Sequence, residues 1–198
     1  MNDLIKPYKI VMIGNSGVGK STLAAWYSLN YKPDALSQTV GASFFSKIIV
    51  ISEKRIRIDI WDTAGQERFH SIAKLYYNNT IAAVCMFDVT NYSTFKDLDF
   101  WLNDYQQVDN KKSKIIIVAN KIDQPKESWQ ITDQEIEKFV KDNNHQLVYT
   151  NCVTGEGINK VFDIILNHIL GLDDDNYKSK IINLMSPKLF IKNRICSC

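Results

Sequence analysis

Several absences narrow this 198-residue chain before any motif is read. No apolar run approaches the roughly 18 residues of a membrane-crossing helix. Neither sign of charge dominates: 24 Lys and Arg stand against 22 Asp and Glu, and a net charge of +2 is too small to indicate nucleic acid as a partner. Cysteine is scarce at four residues, Cys85, Cys152, Cys196 and Cys198, which is not a secreted disulfide framework. The three histidines, His70, His145 and His168, are scattered without metal-ligand spacing. The opening MNDLIKPYKIVMIG lacks the basic stretch and apolar core of a signal peptide, and no internal repeat is present. What is left is one cytosolic globular domain, expected to be a monomer, with 45% hydrophobic and 23% charged residues.

The apolar residues fall in short blocks separated by helical patterns. KIVMI (9–13), AAVCMFDV (82–89), KIIIVAN (114–120) and QLVYTN (146–151) read as strands, the first three continuous enough to be buried on both faces. KIIVI (47–51) and RIRIDIW (55–61) read as a hairpin joined at 52–54. Its second strand sets Ile56, Ile58 and Ile60 against a wet face of Arg55, Arg57 and Asp59. Helices are expected over 21–30, over 93–107, over 132–142 from a Thr132/Glu135 capping box, and over 157–170 with a core face of Ile158, Val161, Phe162, Ile165 and Ile169. Strands alternating with helices give an α/β fold: a mostly parallel sheet covered on both faces, with one antiparallel edge. The domain is expected over 1–172. Residues 173–198 lose periodicity and carry Lys178, Lys180, Lys188, Lys192 and Arg194, so a flexible basic tail is expected there.

Three motifs carry chemistry. Gly14 to Ser21, GNSGVGKS, fits G-x-x-x-x-G-K-[ST] between a strand and a helix. Backbone N–H groups of Ser16, Gly17, Val18 and Gly19, with Ser21 and Thr22, would wrap a phosphate chain at the positive end of the helix. Lys20 would reach the β- and γ-phosphates and Ser21 would ligate Mg²⁺. Next, DTAGQE (62–67) closes a strand with an acid suited to Mg²⁺. Its Gly65 N–H can approach a γ-phosphate and Gln66 can orient an attacking water. In isolation such a turn needs no ligand; after a phosphate loop the pairing is informative. Third, NKID (120–123) ends the strand KIIIVA. The Asp123 carboxylate can accept from two guanine donors that adenine lacks, Asn120 can brace the loops, and the Lys121 stem can lie across the base.

In this order the motifs resemble the Ras superfamily of small GTPases. WDTAGQERF, VGASF after Thr39, FDVT and the Cys-x-Cys ending are similar to the Rab family, over residues 8 to about 171 plus the last three. GASF with QERFHSIAKLYY is most similar to the early-endosomal branch. The resemblance implies a G domain with a six-stranded sheet, GTP/GDP and Mg²⁺ as ligands, and slow GTP hydrolysis with Gln66 and Lys20 as catalytic groups. It makes Thr39 the switch I ligand of Mg²⁺ and γ-phosphate, and Phe44, Trp61 and Tyr76 an aromatic trio under effectors. The partners it implies are effectors, an exchange factor, a GTPase-activating protein and a prenyl carrier or GDP-dissociation inhibitor. Work on membrane traffic at an endosomal or other vesicular surface follows. A disulfide between Cys196 and Cys198 would constrain little, and two thiols alone make a poor zinc site. On a Rab-like domain they look like a double geranylgeranylation site.

The chain also departs from the family. Lys32 stands where members place an aromatic ring against guanine, with Tyr31 one place early, and Asn151-Cys152-Val153 replaces the usual Ser-Ala-Lys base loop, keeping only a backbone N–H at Cys152 for the base. Asn78-Asn79 also replaces Arg-Gly. Faster nucleotide release than a typical Rab is therefore expected. These losses also leave open a pseudo-GTPase scaffold and, if Asn120 and Asp123 do not read the base, an ATP-handling enzyme. No arginine is recognisable as a built-in finger; Arg68 reads as a surface residue of the second switch.

Overall fold

A computed structural model describes residues 7–31, 39–51, 54–66, 70–109 and 113–171. Lys32, Arg68, Cys196, Cys198 and the remainder of 172–198 lie outside the described residues, as do Ser52 and Glu53 of the expected hairpin turn.

Six strands, β1 (Pro7–Ile13), β2 (Ala42–Ile51), β3 (Lys54–Thr63), β4 (Ala82–Asp88), β5 (Lys114–Asn120) and β6 (Gln146–Thr150), form one sheet in the order β2-β3-β1-β4-β5-β6. All neighbours are parallel except the β2–β3 pair, so the antiparallel edge is where the hairpin pattern put it. The helices are α1 (Lys20–Leu29), α2 (His70–Ala73), α3 (Tyr92–Lys96), α4 (Leu98–Asp109), α5 (Asp133–Asp142) and α6 (Ile158–Leu170).

The continuous apolar strands are explained by a core on each face. Ile10 and Met12 of β1 join the cluster under α1 and α6, whereas Val11 and Ile13 join the one under α4 and α5. All four are fully buried, each contributing about 1.5–3 kcal/mol of transfer free energy. Strand β3 sends Ile56, Ile58 and Ile60 to the first cluster, where Tyr27 of α1 also stacks on Phe162 of α6 at 3.4 Å between centroids.

Four expectations need correction. The expected 93–107 helix is two helices: Asp97 ends α3 by donating its N–H to the Ser93 carbonyl, and α4 restarts at Leu98. The other face of β3 is not all wet, because Asp59 is buried while accepting from Arg57 and from Ser46 Oγ at 2.7 Å. Strand β2 starts at Ala42, five residues before the apolar run, since sheet pairing with β3 fixes backbone regardless of side-chain polarity. In α6 it is Leu166 that joins Ile158, Val161, Phe162 and Ile165 in the core, with Ile169 only part-buried at the helix end. The Thr132 capping box forms as expected, Thr132 and Glu135 bonding reciprocally. Cys85 is fully buried on β4, and burial pushes its thiol well above the ordinary range, as expected of an inert core cysteine. His168 is exposed and His145 half-buried, and no cluster of metal-ligating side chains exists among the described residues.

Candidate functional site

Parallel strands deliver their carboxyl ends to one edge of the sheet, and the three motifs all follow such ends. The phosphate loop runs from β1 to α1. Gly14 turns at φ 129°, where a Cβ would stand 2.3 Å from the Met86 carbonyl oxygen of β4. Gly19, at φ 104°, lies so close to Asn120 that a Cβ there would meet its Nδ2 at 2.3 Å. Both positions therefore demand glycine on conformational and steric grounds.

Lys20 lies 6% exposed at the start of α1, and its ammonium donates to the carbonyls of Gly14 and Asn15, each at 2.8 Å. Burial lowers its pKa to about 8, with the Asp62 charge opposing. Asp62, fully buried at the end of β3, accepts from Ser21 Oγ at 2.5 Å and Thr39 Oγ1 at 3.1 Å, and the two hydroxyls are 2.8 Å apart. Three residues separated by up to 41 positions thus meet at one point. Burial holds the Asp62 carboxyl above the usual carboxylate range, against the pull of Ser21, Lys20 and Thr39. Its second oxygen, Oδ1, is buried without a hydrogen-bond partner among the described residues. An orphaned carboxylate oxygen beside two hydroxyls is an all-oxygen, hard donor set, which fits Mg²⁺.

Gly65 leans onto the phosphate loop. A Cβ there would stand 2.4 Å from the Gly14 oxygen, the Asn15 carbonyl carbon and Lys20 Nζ. Gln66 follows, half-buried. The segment is tied back by Thr63 Oγ1 donating to the Met12 carbonyl at 2.7 Å and by Ala64 N–H donating to Gly41 at 2.8 Å.

On the base side, Asn120 is the hub. It is 1% exposed, donates Nδ2 to the Val18 carbonyl at 2.7 Å, and accepts at Oδ1 from Thr150 Oγ1 at 2.9 Å and Cys152 Sγ at 3.3 Å. One amide thereby joins the phosphate loop, β5 and the loop after β6. Cys152 is buried against it, whereas Val153 is 58% exposed. Asn151 turns inward: its Oδ1 accepts from the N–H groups of Val153 and Thr154, so it shapes the loop from within. Asp123 is exposed and accepts from Gln124 Nε2 at 2.7 Å. The Lys121 ammonium pairs with Asp88 at 2.5 Å, and Asp88 also accepts from Thr90 N–H and Oγ1. Asp88 lies outside the three motifs, although an acid closing the fully buried apolar strand AAVCMF is a usable signal. Ser16 and Gly17 are exposed at the loop tip, with Val18 fully buried beneath and Thr22 half-buried on α1. Tyr31 is 59% exposed.

The aromatic trio assembles on β2, β3 and the turn after α2. The Phe44 and Trp61 rings meet edge to face at 5.1 Å, and Trp61 stacks on Tyr76 at 4.9 Å. All three are half-buried, and the side chains of Val40 and Leu75, close to Phe44 and Tyr76 in sequence, are exposed. The turn carrying Tyr76 is pinned by Lys74, whose ammonium pairs with buried Asp104 of α4 at 2.5 Å.

Comparison with known proteins extends the picture beyond geometry. The sequence pattern described as "Ras family" matches residues 9–171. A probable Rab-related GTPase of Acanthamoeba polyphaga mimivirus is 38% identical over 193 residues, covering 93% of this chain and 90% of its own. The probable Ras-related protein Rab-4A of Echinococcus multilocularis is 34% identical over 155 residues, 78% of this chain and 70% of its own. The Ras-related protein Rab5A of Oryza sativa subsp. japonica is 31% identical over 166 residues, 84% and 81% of the two chains.

Proposed function

The chain belongs to the Ras family of small GTPases and is Rab-related, and from that premise we propose that it works as a membrane-tethered guanine-nucleotide switch in vesicular traffic. It is a GTP hydrolase. The observation that carries the mechanistic reading is the meeting of Ser21, Thr39 and Asp62 beside buried Lys20. Ser21, Thr39 and Asp62 would hold Mg²⁺, which would supply positive charge to offset that on the phosphates. Lys20 stabilises charge on the same phosphates. Backbone N–H groups of residues 16–19 grip the phosphates, with Ser21 and Thr22 at the helix start. Gln66, carried by the segment that Gly65 seats against the phosphate loop, orients the attacking water. Asn120 sets the base pocket, Asp123 reads guanine, the Lys121 stem covers it, and the loop at 151–153 offers the Cys152 N–H.

Two kinds of output follow. Thr39 and Gly65 link the γ-phosphate to the two switches, and the Phe44, Trp61 and Tyr76 cluster is the surface that effectors would read. The exchange factor and the activating protein would act on the same segments. With no arginine identifiable in the sequence as a built-in finger, an activating protein would add about 10³–10⁵-fold to hydrolysis. We assign the 1–172 region to the G domain and 173–198 to a tether on which Cys196 and Cys198 take two geranylgeranyl groups. A single chain binds membranes marginally, whereas two anchor stably. A prenyl carrier or GDP-dissociation inhibitor would shield them during cycling between the cytosol and an endosomal or other vesicular membrane, the GASF and QERFHSIAKLYY likeness favouring the endosomal one.

Chromatography of the nucleotide released from denatured protein tests the base assignment: GDP or GTP is expected, and ATP or ADP sinks it. In Gln66→Leu, single-turnover hydrolysis should fall by about 10²-fold with GTP affinity retained; a wild-type rate removes Gln66 from the mechanism. The Cys196→Ser, Cys198→Ser double variant should remain in the soluble fraction after lysis, and its sedimentation with membranes ends the lipid assignment.

A further inference from the structure

Asn15 occupies a variable position of the phosphate-loop motif, so the motif gives it no role. In the fold its amide is held at both ends. Nδ2 donates to Asp97 Oδ2 at 2.6 Å, and Oδ1 accepts from the indole Nε1–H of Trp101 at 2.6 Å. A carboxylate only accepts and an indole N–H only donates, so these partners fix which way the amide faces. The backbone of the same residue serves the site: its carbonyl accepts from Lys20 Nζ at 2.8 Å, and its carbonyl carbon abuts Gly65. Trp101 is 3% exposed on α4 and Asp97 caps α3, so both anchors belong to helices packed on the sheet. Asp97, at the break that divides the expected single helix, thus meets the phosphate loop.

We propose that Asn15, Asp97 and Trp101 form a positioning unit for the hydrolysis step. They clamp the peptide following Asn15 to α4, and so keep Lys20 and the Gly65–Gln66 segment in register while the switch segments move. The unit is separate from the base pocket, which hangs on Asn120, so it acts on hydrolysis of bound GTP more than on retention of nucleotide. This rests on the GTPase reading of the site.

The test uses the full chain and a charge swap. Asn15→Asp sets a second carboxylate against Asp97 and removes the donor between them. Adding Asp97→Asn restores one donor to one carboxylate, and position 15 keeps an oxygen for Trp101. Trp101→Phe removes the indole donor and keeps a ring. Single-turnover hydrolysis and release of a fluorescent GDP analogue are measured together. Hydrolysis should fall about 10-fold in Asn15→Asp and less in Trp101→Phe, with GDP release changed less than about threefold; the swap should recover hydrolysis to within about threefold of wild type. Hydrolysis within twofold of wild type in both single variants overturns the proposal. So does a swap no faster than Asn15→Asp, or GDP release that rises in step with the loss of hydrolysis. The wild-type control separates the two readings: if it releases no phosphate from bound GTP, the GTPase reading itself has failed.

Discussion

Asn120→Ala is expected to weaken guanine-nucleotide binding by about 10²–10³-fold. The amide makes three hydrogen bonds at a fully buried point, to Val18, Thr150 and Cys152. Each is worth about 1 kcal/mol net, about 3 kcal/mol together, and leaving the buried Val18 carbonyl without that partner adds about 1 kcal/mol more. A total near 3–4 kcal/mol converts to two or three decades. The effect reaches nucleotide because the bonds join the loop under the phosphates to the loops around the base. Asn120→Asp keeps an acceptor for Thr150 and loses the donor to Val18, so it should fall between wild type and alanine only if Thr150 contributes. Equilibrium titration with a fluorescent GDP analogue, alongside the thermal midpoint of the GDP-loaded protein, gives the answer. An affinity within threefold of wild type would show that the base pocket does not depend on this hub.

The second large effect is expected at Gly65. A methyl group there would stand 2.4 Å from two backbone atoms of the phosphate loop as well as from Lys20 Nζ. The lysine end could swing away, but the Gly14 oxygen and the Asn15 carbonyl carbon cannot move without deforming the loop. The Gly65 segment must therefore lift away, and Gln66 with it. A displacement of about 1 Å at a reacting centre costs about 10²-fold in rate. In Gly65→Ala, single-turnover hydrolysis should drop by about that factor while GDP affinity stays near wild type, since the base side of the site is untouched. Partial proteolysis of the GTP-loaded variant should expose the segment following Thr63. Hydrolysis within threefold of wild type would mean that the close approach of Gly65 is not needed in the reacting state.

The base side raises a question of balance. Lys32 and the altered 151–153 loop argue for fast GDP release, yet Cys152 adds a bond to Asn120 that ties the loop down. The bond is internal to the protein and does not replace a ring or lysine contact to guanine, so faster release than in a typical Rab remains the expected result. Slow release with Tyr31 intact, lost in Tyr31→Ala, would reveal that Tyr31 has taken over the missing role.

Much of this protein is legible in one dimension, for a physical reason. A phosphate loop, a DxxG turn and an NKxD loop are local devices in which backbone shape and a few neighbouring side chains bind a ligand together, so their spacing survives in the linear order. Period-two and unbroken apolar runs likewise report burial directly: Ile10 to Ile13 divide between two cores as their alternation requires. What escaped was decided by partners far away in sequence. Asp59 looks exposed from its alternation until Arg57 and Ser46 cover it. Residues 93–107 carry a single helical period, and nothing local marks Asp97 as the place where the helix breaks and meets Asn15, 82 residues earlier. By itself the sequence determined the family, the order of strands and helices, and the buried faces of the apolar strands. Only the packed structure decided that Ser21, Thr39 and Asp62 share one point, that Asn120 braces three loops, and that α4 grips the phosphate loop. Hydrogen bonds and ion pairs between distant segments form only after the sheet has set those segments side by side, and no periodicity encodes them.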